Sequence, residues 1–112
     1  MTIENGTYFV RFKTPLGQGG GVFTLQNGKL RGGDGAMIYV GTYNEPTPGV
    51  IDADVRVTTH TEWGPDHASV FGVPAVDIKL KGNIVGGSGT VNGSSPQAPG
   101  LAFTAAIERY CD

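Results

Sequence analysis

The stretch Phe23-Thr-Leu-Gln-Asn-Gly-Lys-Leu-Arg-Gly-Gly-Asp-Gly-Ala-Met-Ile-Tyr-Val-Gly-Thr-Tyr43 decides the fold, because it is typical of three antiparallel strands joined by tight turns. Its first turn is Asn27-Gly28, a pair that accepts the positive φ angles of a type I′ hairpin. A two-residue turn fixes the register, so we expect Leu25 to face Leu30 across the two strands. The stretch therefore predicts a hairpin with one apolar face and one polar face.

A turn at 33–35 leads into a second ribbon that has no clearly polar face. Met37 and Tyr39 occupy one side of this ribbon, and Ile38 and Val40 occupy the other. A strand of this kind is expected to be covered on both sides.

Alternation of apolar and polar residues recurs along the rest of the chain and predicts further strands at 7–13, 50–62, 76–81 and 101–107. The alanines at 105 and 106 make a helix the competitor for the last segment, but its alternation favours a strand. Seven or eight short strands with one apolar face each must stack as a sandwich or curl into a barrel. We predict an all-β protein, a small antiparallel up-and-down β-barrel of one domain.

The chain has 19 glycines, which we assign to turns and bulges because they accompany many aromatic and β-branched residues. The run Gly17 to Gly21 resembles a phosphate-binding loop, but no Lys-Ser/Thr pair or helix follows it. It predicts a bulge or a sharp coil. Gly82-Asn83 is expected to be a turn, and the glycine-rich segment 86–95 a weak, bent strand.

Catalytic and metal-binding patterns are weak. His60, Glu62, Asp66 and His67 are close in sequence, yet no third strong ligand follows at a metal-like spacing. Ser69 lies outside any G-x-S-x-G motif. We therefore expect no metal, no cofactor and no enzymatic activity. In the same long connection, Trp63, Val70 and Phe71 are expected to plug one end of the barrel or to cap a ligand entrance.

Charge and hydropathy restrict the partners and the compartment. The net charge of -2 argues against direct contact with nucleic acid. The first twenty residues do not have the pattern of a signal peptide, and the longest uninterrupted apolar run is 36–40, too short to cross a membrane. Cys111 has no second cysteine to pair with and is expected to be a frayed terminal thiol. A soluble cytoplasmic protein is the expected class.

Three segments together carry a resemblance to a known family: Asn5-Gly-Thr-Tyr-Phe-Val-Arg-Phe12, Asn27-Gly-Lys-Leu-Arg-Gly-Gly-Asp34 and Tyr39-Val-Gly-Thr-Tyr43. In these segments the chain resembles the GrlR-type negative regulators of bacterial type III secretion. The resemblance implies a lipocalin-like β-barrel, often a homodimer, that acts by binding a transcriptional activator. In that family an exposed acidic loop is associated with the activator, whereas the corresponding loop here, 44–49, has only Glu45.

Two sets of candidate site residues follow. If a protein partner binds through acidic groups, the candidates on the surface are Glu45, Asp52 and Asp54, although a solvated strand face is the preferred interpretation of the two aspartates. If the barrel instead holds a small apolar molecule, Tyr39 would be the hydrogen-bonding member of a pocket. The interior candidates are Phe12, Phe23, Tyr39, Val55, Val57 and Phe103, for which core packing is the alternative.

Overall fold

The computed structural model describes residues 3–62 and 75–112, and these form eight antiparallel strands closed into one barrel. Each strand pairs with its neighbours in the chain, and the last pairs with the first. The predicted up-and-down barrel is confirmed, and the sandwich is not adopted. The strands are β1 (Gly6–Thr14), β2 (Gly17–Gln26), β3 (Lys29–Gly33), β4 (Met37–Asn44), β5 (Val50–Thr59), β6 (Ala75–Val85), β7 (Ser88–Ser94) and β8 (Phe103–Cys111).

The hairpin between β2 and β3 has the predicted turn and register. Asn27 and Gly28 have φ angles of 51° and 85°, as a type I′ turn requires. Leu25 lies opposite Leu30, and both are buried. The local sequence is therefore sufficient to set this part of the sheet.

The core lies inside the barrel and is built from inward-facing side chains of all eight strands. Along β5 the alternation is regular: Ile51, Ala53, Val55 and Val57 are buried, and the residues between them point outward. A slip of one residue would turn three charged side chains of β5 into this core, which is why the register is well defined.

Two glycine-rich segments differ from their predictions, whereas the third, 86–95, contains the expected strand as β7. The run Gly17 to Gly21 is neither a bulge nor coil but the first half of β2, regularly paired with β1. Gly82-Asn83 is not a turn, because β6 continues through it to Val85 and the chain turns at 86–87. Glycine tolerates a strand conformation when neighbouring strands supply the hydrogen bonds, and propensity alone misses this.

Three further predictions are corrected by the structure. β5 ends at Thr59, short of the predicted end at 62, because His60 and Thr61 instead donate their backbone N–H groups to the Ala36 carbonyl. The outer side of β4 is not covered within this chain: Ile38 is 45% exposed and Val40 is 44% exposed. Cys111 is exposed but not frayed, since it lies in β8 opposite Thr7 of β1.

The N-terminal segment covers one end of the barrel. Ile3 is buried, and its backbone N–H donates to a carboxylate oxygen of Glu45 at 3.2 Å. The guanidinium of Arg109 donates to the Asn5 carbonyl and pairs with Glu4 at 3.4 Å. The turns at 27–28, 45–49 and 86–87 lie at this same end. Successive strands are antiparallel, so every second connection returns the chain to the end at which β1 begins.

The opposite end carries the turns 15–16 and 34–36, and the segment 95–102. The expected plug residues Trp63, Val70 and Phe71 lie outside the described residues, as do Asp66, His67 and Ser69. No helix in the described part of the chain is long and apolar enough to cross a membrane.

Candidate functional site

The interior candidates all lie on inward positions of the barrel. Phe23, Tyr39, Val55, Val57 and Phe103 are buried members of the core, and Phe12 is partly buried against it. The ring of Phe12 stacks on Phe103 at 5.9 Å between centroids. The structure thus brings these six residues into one apolar cluster in which they pack on one another.

Tyr39 already uses its hydroxyl within the protein. The hydroxyl donates to Asp34 Oδ2 at 2.5 Å, while Asp34 Oδ1 accepts from the backbone N–H groups of Ala36 and Met37 at 2.9 and 2.8 Å. Burial, and then the hydrogen bond and charge of Asp34, raise the pKa of Tyr39 well above that of a free phenol. Tyr39 is therefore a neutral donor near pH 7 and is held in place by the β3–β4 turn.

A second inward tyrosine of β4 is in the opposite situation. The Tyr43 hydroxyl is buried and has no hydrogen-bond partner among the residues that the structure describes. Its neighbour Tyr8 donates to the Glu4 carbonyl at 2.5 Å. Buried hydroxyls normally have a partner, so among the buried side-chain polar atoms of the described residues it is the Tyr43 hydroxyl that remains available to another molecule.

Two of the acidic surface candidates, Glu45 and Asp54, make contacts within the chain, and the third, Asp52, lies opposite a lysine. Glu45 accepts from the backbone N–H groups of Ile3 and Gly49, and so it orders the loop between β4 and β5. Asp54 pairs with Lys79 at 3.1 Å, and Asp52 lies opposite Lys81 in the register of β5 and β6. Asp52 and Asp54 thus lie two residues apart on the outer side of β5, each opposite a lysine of β6, whereas the carboxylate of Glu45 binds backbone N–H groups.

The cross-strand ladder of β5 and β6 extends to Arg56 and Asp77, which are paired at 2.9 Å. The hydrogen bond from Arg56 lowers the pKa of Asp77. Opposite charges facing each other leave little net charge on this part of the outer wall. Exposed pairs of this kind contribute about 0–1 kcal/mol each to stability, so the ladder mainly fixes register and solubility.

An apolar row crosses the outer wall of β1–β4. Phe9 lies opposite Val22, Val22 opposite Gly33, and Gly33 opposite Ile38. Val40 follows Ile38 on the same side of β4. Val22 is 51% exposed, and Phe9 is half-buried under the guanidinium of Arg11 at 4.9 Å. Adjacent exposed apolar side chains in register are a mark of interaction sites rather than of ordinary surface.

The strands under this row are basic. Their sequences contain no Asp or Glu, and their cations are Arg11, Lys13, Lys29 and Arg31. The acidic strand residues belong to β5, β6 and β8. The barrel therefore has a basic and apolar side, which we call the β1–β4 face.

A groove of about 810 Å³ adjoins the β1–β4 face. Its lining residues come only from the adjacent strands β2, β1, β8 and β7, and none comes from the opposite wall, so the groove lies outside the barrel. Two outward rows border it, with one inward row between them. The first outward row is Gly20, Arg11, Ala106 and Thr90, and the second is Gln18, Lys13, Thr104 and Asn92. The inward row between them is Gly19, Phe12, Ala105 and Val91.

The alternation along 7–13 predicts that Arg11 and Lys13 point outward, but it does not indicate a groove beside them. The groove could not be inferred, because it forms where β8 returns to β1, and those strands are far apart in sequence. The sequence likewise predicts that Asp34 lies in the turn at 33–35, but it does not indicate the hydrogen bond that Asp34 accepts from Tyr39.

No group of three or more His, Cys, Asp or Glu within 3–62 and 75–112 is arranged to hold a metal ion. His60 instead contacts the Asp34 carbonyl through Nε2 at 2.9 Å and Thr61 through Nδ1 at 2.6 Å. In the described residues, its ring is thus part of the packing of the β3–β4 turn.

Comparison with known proteins adds no identity: no protein-family model matches the chain, and no curated protein matches it.

Proposed function

We propose that this chain is a non-enzymatic regulatory protein that acts by binding a transcriptional activator in the cytoplasm. The observation that carries the proposal is the apolar row of the β1–β4 face, in which Val22, Ile38 and Val40 are about half exposed and only Gly33 of β3 lies between Val22 and Ile38. Burying such a row favours association by roughly 25 cal/mol for each Å² of apolar surface removed from water. The identity of the partner class comes from the resemblance to GrlR-type regulators.

The contacts of the acidic candidates support a different surface from the one that the sequence suggested. Glu45 and Asp54 have partners within the chain, whereas the β1–β4 face offers apolar area together with cations. We therefore place the partner on the β1–β4 face.

The test is copurification of the tagged chain from cells of its source, with the captured proteins identified by mass spectrometry. The wild-type chain should retain a transcriptional activator, and Val22→Asp should lose it, because a carboxylate would be desolvated in the centre of the row. Val85→Asp is the matched control, since Val85 is 73% exposed on β6, away from the face. Circular dichroism should show the same β spectrum for both variants.

Capture of the activator equally well by the Val22 and Val85 variants would remove the face from the proposal. Absence of any activator would contradict the function itself. Sedimentation velocity on the same samples measures whether the chain forms the homodimer that the resemblance implies.

A second candidate function, binding of a small apolar molecule, is supported by the Tyr43 hydroxyl, which offers a hydrogen bond inside an apolar interior. Native mass spectrometry of the chain purified from its source should then show a stoichiometric added mass that Tyr43→Phe reduces. A spectrum of the unliganded mass would exclude this candidate for the purified protein.

A further inference from the structure

We propose that the groove between β2, β1, β8 and β7 binds an acidic, extended segment of the protein partner. The inference rests on the proposed function and adds the chemistry of the partner. The groove provides two cations, Arg11 and Lys13, and its lining contains no carboxylate. Its volume of about 810 Å³ is within the usual range of ligand sites, roughly 300–1,000 Å³.

The placement of the two cations suits carboxylates. Arg11 and Lys13 are two residues apart on β1 and point to the same side, so their Cβ atoms are about 7 Å apart. An extended peptide repeats its side chains at the same spacing, and each cation can therefore meet one of two alternate carboxylates. Gly20 and Ala106 flank Arg11 in its row, so no bulky side chain blocks access to the guanidinium.

The neutral lining suits a peptide backbone. Gln18 and Asn92 are exposed amides at the two ends of the row that contains Lys13, and Thr90 and Thr104 add hydroxyls. Amides and hydroxyls both donate and accept, which matches the alternating N–H and C=O groups of an extended chain. Phe9, under Arg11, connects the groove to the apolar row, so one partner segment can contact both.

Other occupants fit less well. Nucleic acid recognition uses many phosphate contacts, and this groove has two cations on a protein of net charge -2. In a second copy, the alternate carboxylates in the described strands are Asp52 and Asp54 of β5, and these lie opposite Lys81 and Lys79 of β6, so their charge is already balanced within that copy. Recognition of an anionic lipid surface uses clusters of about four to eight Lys and Arg residues, and this groove has two.

The test uses a fluorescein-labelled octapeptide of alternating Glu and Val, and fluorescence anisotropy at low salt and at 0.3 M NaCl. The peptide with Gln in place of Glu is the ligand control. The protein variant is Arg11→Gln/Lys13→Gln, and the charge-matched control is Lys79→Gln/Lys81→Gln, which removes two cations of β6, outside both the groove and the β1–β4 face.

We expect the Glu peptide to bind more tightly than the Gln peptide and to weaken at the higher salt. The Arg11→Gln/Lys13→Gln variant should bind it about tenfold more weakly, and the control variant should change the affinity less than about twofold. Ala106→Glu should also weaken the Glu peptide, and Ala106→Gln much less, because only the former places a like charge on the groove wall.

Equal binding of the Glu and Gln peptides, equal losses in the two double variants, or no binding of the Glu peptide would each overturn the proposal. So would a groove-dependent preference for a single-stranded oligonucleotide, for phosphatidylglycerol vesicles, or for a second copy in sedimentation velocity. If the Arg11→Gln/Lys13→Gln variant still captures the activator while Val22→Asp does not, the function stands and the groove inference fails. If the Glu peptide binds in the groove but no activator is captured, the acidic-ligand chemistry of the groove stands and the proposed function fails.

Discussion

Tyr39 and Tyr43 are two inward-facing tyrosines of β4 whose hydroxyls meet opposite environments. The Tyr39 hydroxyl donates to Asp34 at 2.5 Å, and the Tyr43 hydroxyl is buried without a partner among the described residues. A hydrogen bond to a charged group contributes about 1.5–3 kcal/mol, whereas a buried hydroxyl with no partner retains only its desolvation cost. The same chemical change at these two positions should therefore have different effects.

We predict that Tyr39→Phe lowers the free energy of unfolding by about 1–3 kcal/mol, because Asp34 loses its side-chain donor. Tyr43→Phe is expected to change the free energy of unfolding by less than about 0.5 kcal/mol or to raise it. Urea denaturation at pH 7 measures both, with m-values compared to confirm that the denatured state is unchanged. A large destabilisation by Tyr43→Phe would show that this hydroxyl is bonded in solution.

The pH dependence of stability should also report on Tyr39. Burial and Asp34 raise the pKa of Tyr39 in the folded protein. In the unfolded chain the phenol loses its proton near pH 10, whereas in the folded protein it still keeps its proton at that pH. Below about pH 10 both states are protonated and the contribution is fully present. As pH rises further, the unfolded state alone ionises and stability falls.

Tyr39→Phe should make the fall in the urea midpoint between pH 9 and pH 11 less steep. Tyr110→Phe is the control, since Tyr110 is an exposed residue of β8. Burial raises the pKa of Tyr8 as well, so the Tyr39 variant should retain part of the slope. An unchanged slope would mean that Tyr39 ionises as readily in the folded state as in the unfolded one.

Among the strands, β2 shows why a glycine-rich segment can be a regular part of a barrel. A Cβ atom on Gly21 would collide with the Tyr39 hydroxyl and with the Gly33 carbonyl oxygen. The glycine therefore leaves room for the Tyr39 side chain that reaches across to Asp34. The weak strand propensity of β2 is compensated by its pairing with β1 and β3 on both sides.

We predict that Gly21→Ala lowers the free energy of unfolding by about 1–3 kcal/mol, because overpacking must displace either the tyrosine or the strand. Gly35→Ala is the control: a Cβ at this position would meet nothing within 4 Å. Thermal and urea unfolding of the two variants compare them directly. If combining Gly21→Ala with Tyr39→Phe costs as much as the two changes added together, the proposed contact is absent.

For the whole molecule, the pairing of β8 with β1 closes the barrel and can be tested with the single cysteine. Thr7 and Cys111 are opposite each other in this pairing. The register shifts between Thr7 and Tyr8, but Thr7 and Cys111 remain paired beyond the shift. We predict that Thr7→Cys forms an internal disulfide with Cys111 under mild oxidation, because paired residues of antiparallel strands are about 4.5–5.5 Å apart at Cα.

The cross-link should raise the thermal midpoint, since it joins the two ends of the chain, and reduction should reverse the gain. Thr24→Cys is the matched control: Thr24 pairs with Thr7, so it lies one strand further, about 10 Å from Cys111, and is too distant to bridge. Mass spectrometry and non-reducing electrophoresis distinguish internal from intermolecular disulfides. Only intermolecular bridges in the Thr7 variant would contradict the closure.

The sequence by itself determined the local geometry of the sheet. Asn27-Gly28 set a turn and a register, and alternation along β5 assigned the inward residues, because turn chemistry and side-chain period are properties of a few neighbouring residues. Only the tertiary structure decided that β8 meets β1, that Gly21 makes room for Tyr39, and that Asp54 is paired with Lys79. Each of these depends on residues distant in sequence that come together when the barrel closes, and the groove with Arg11 and Lys13 arises in the same way.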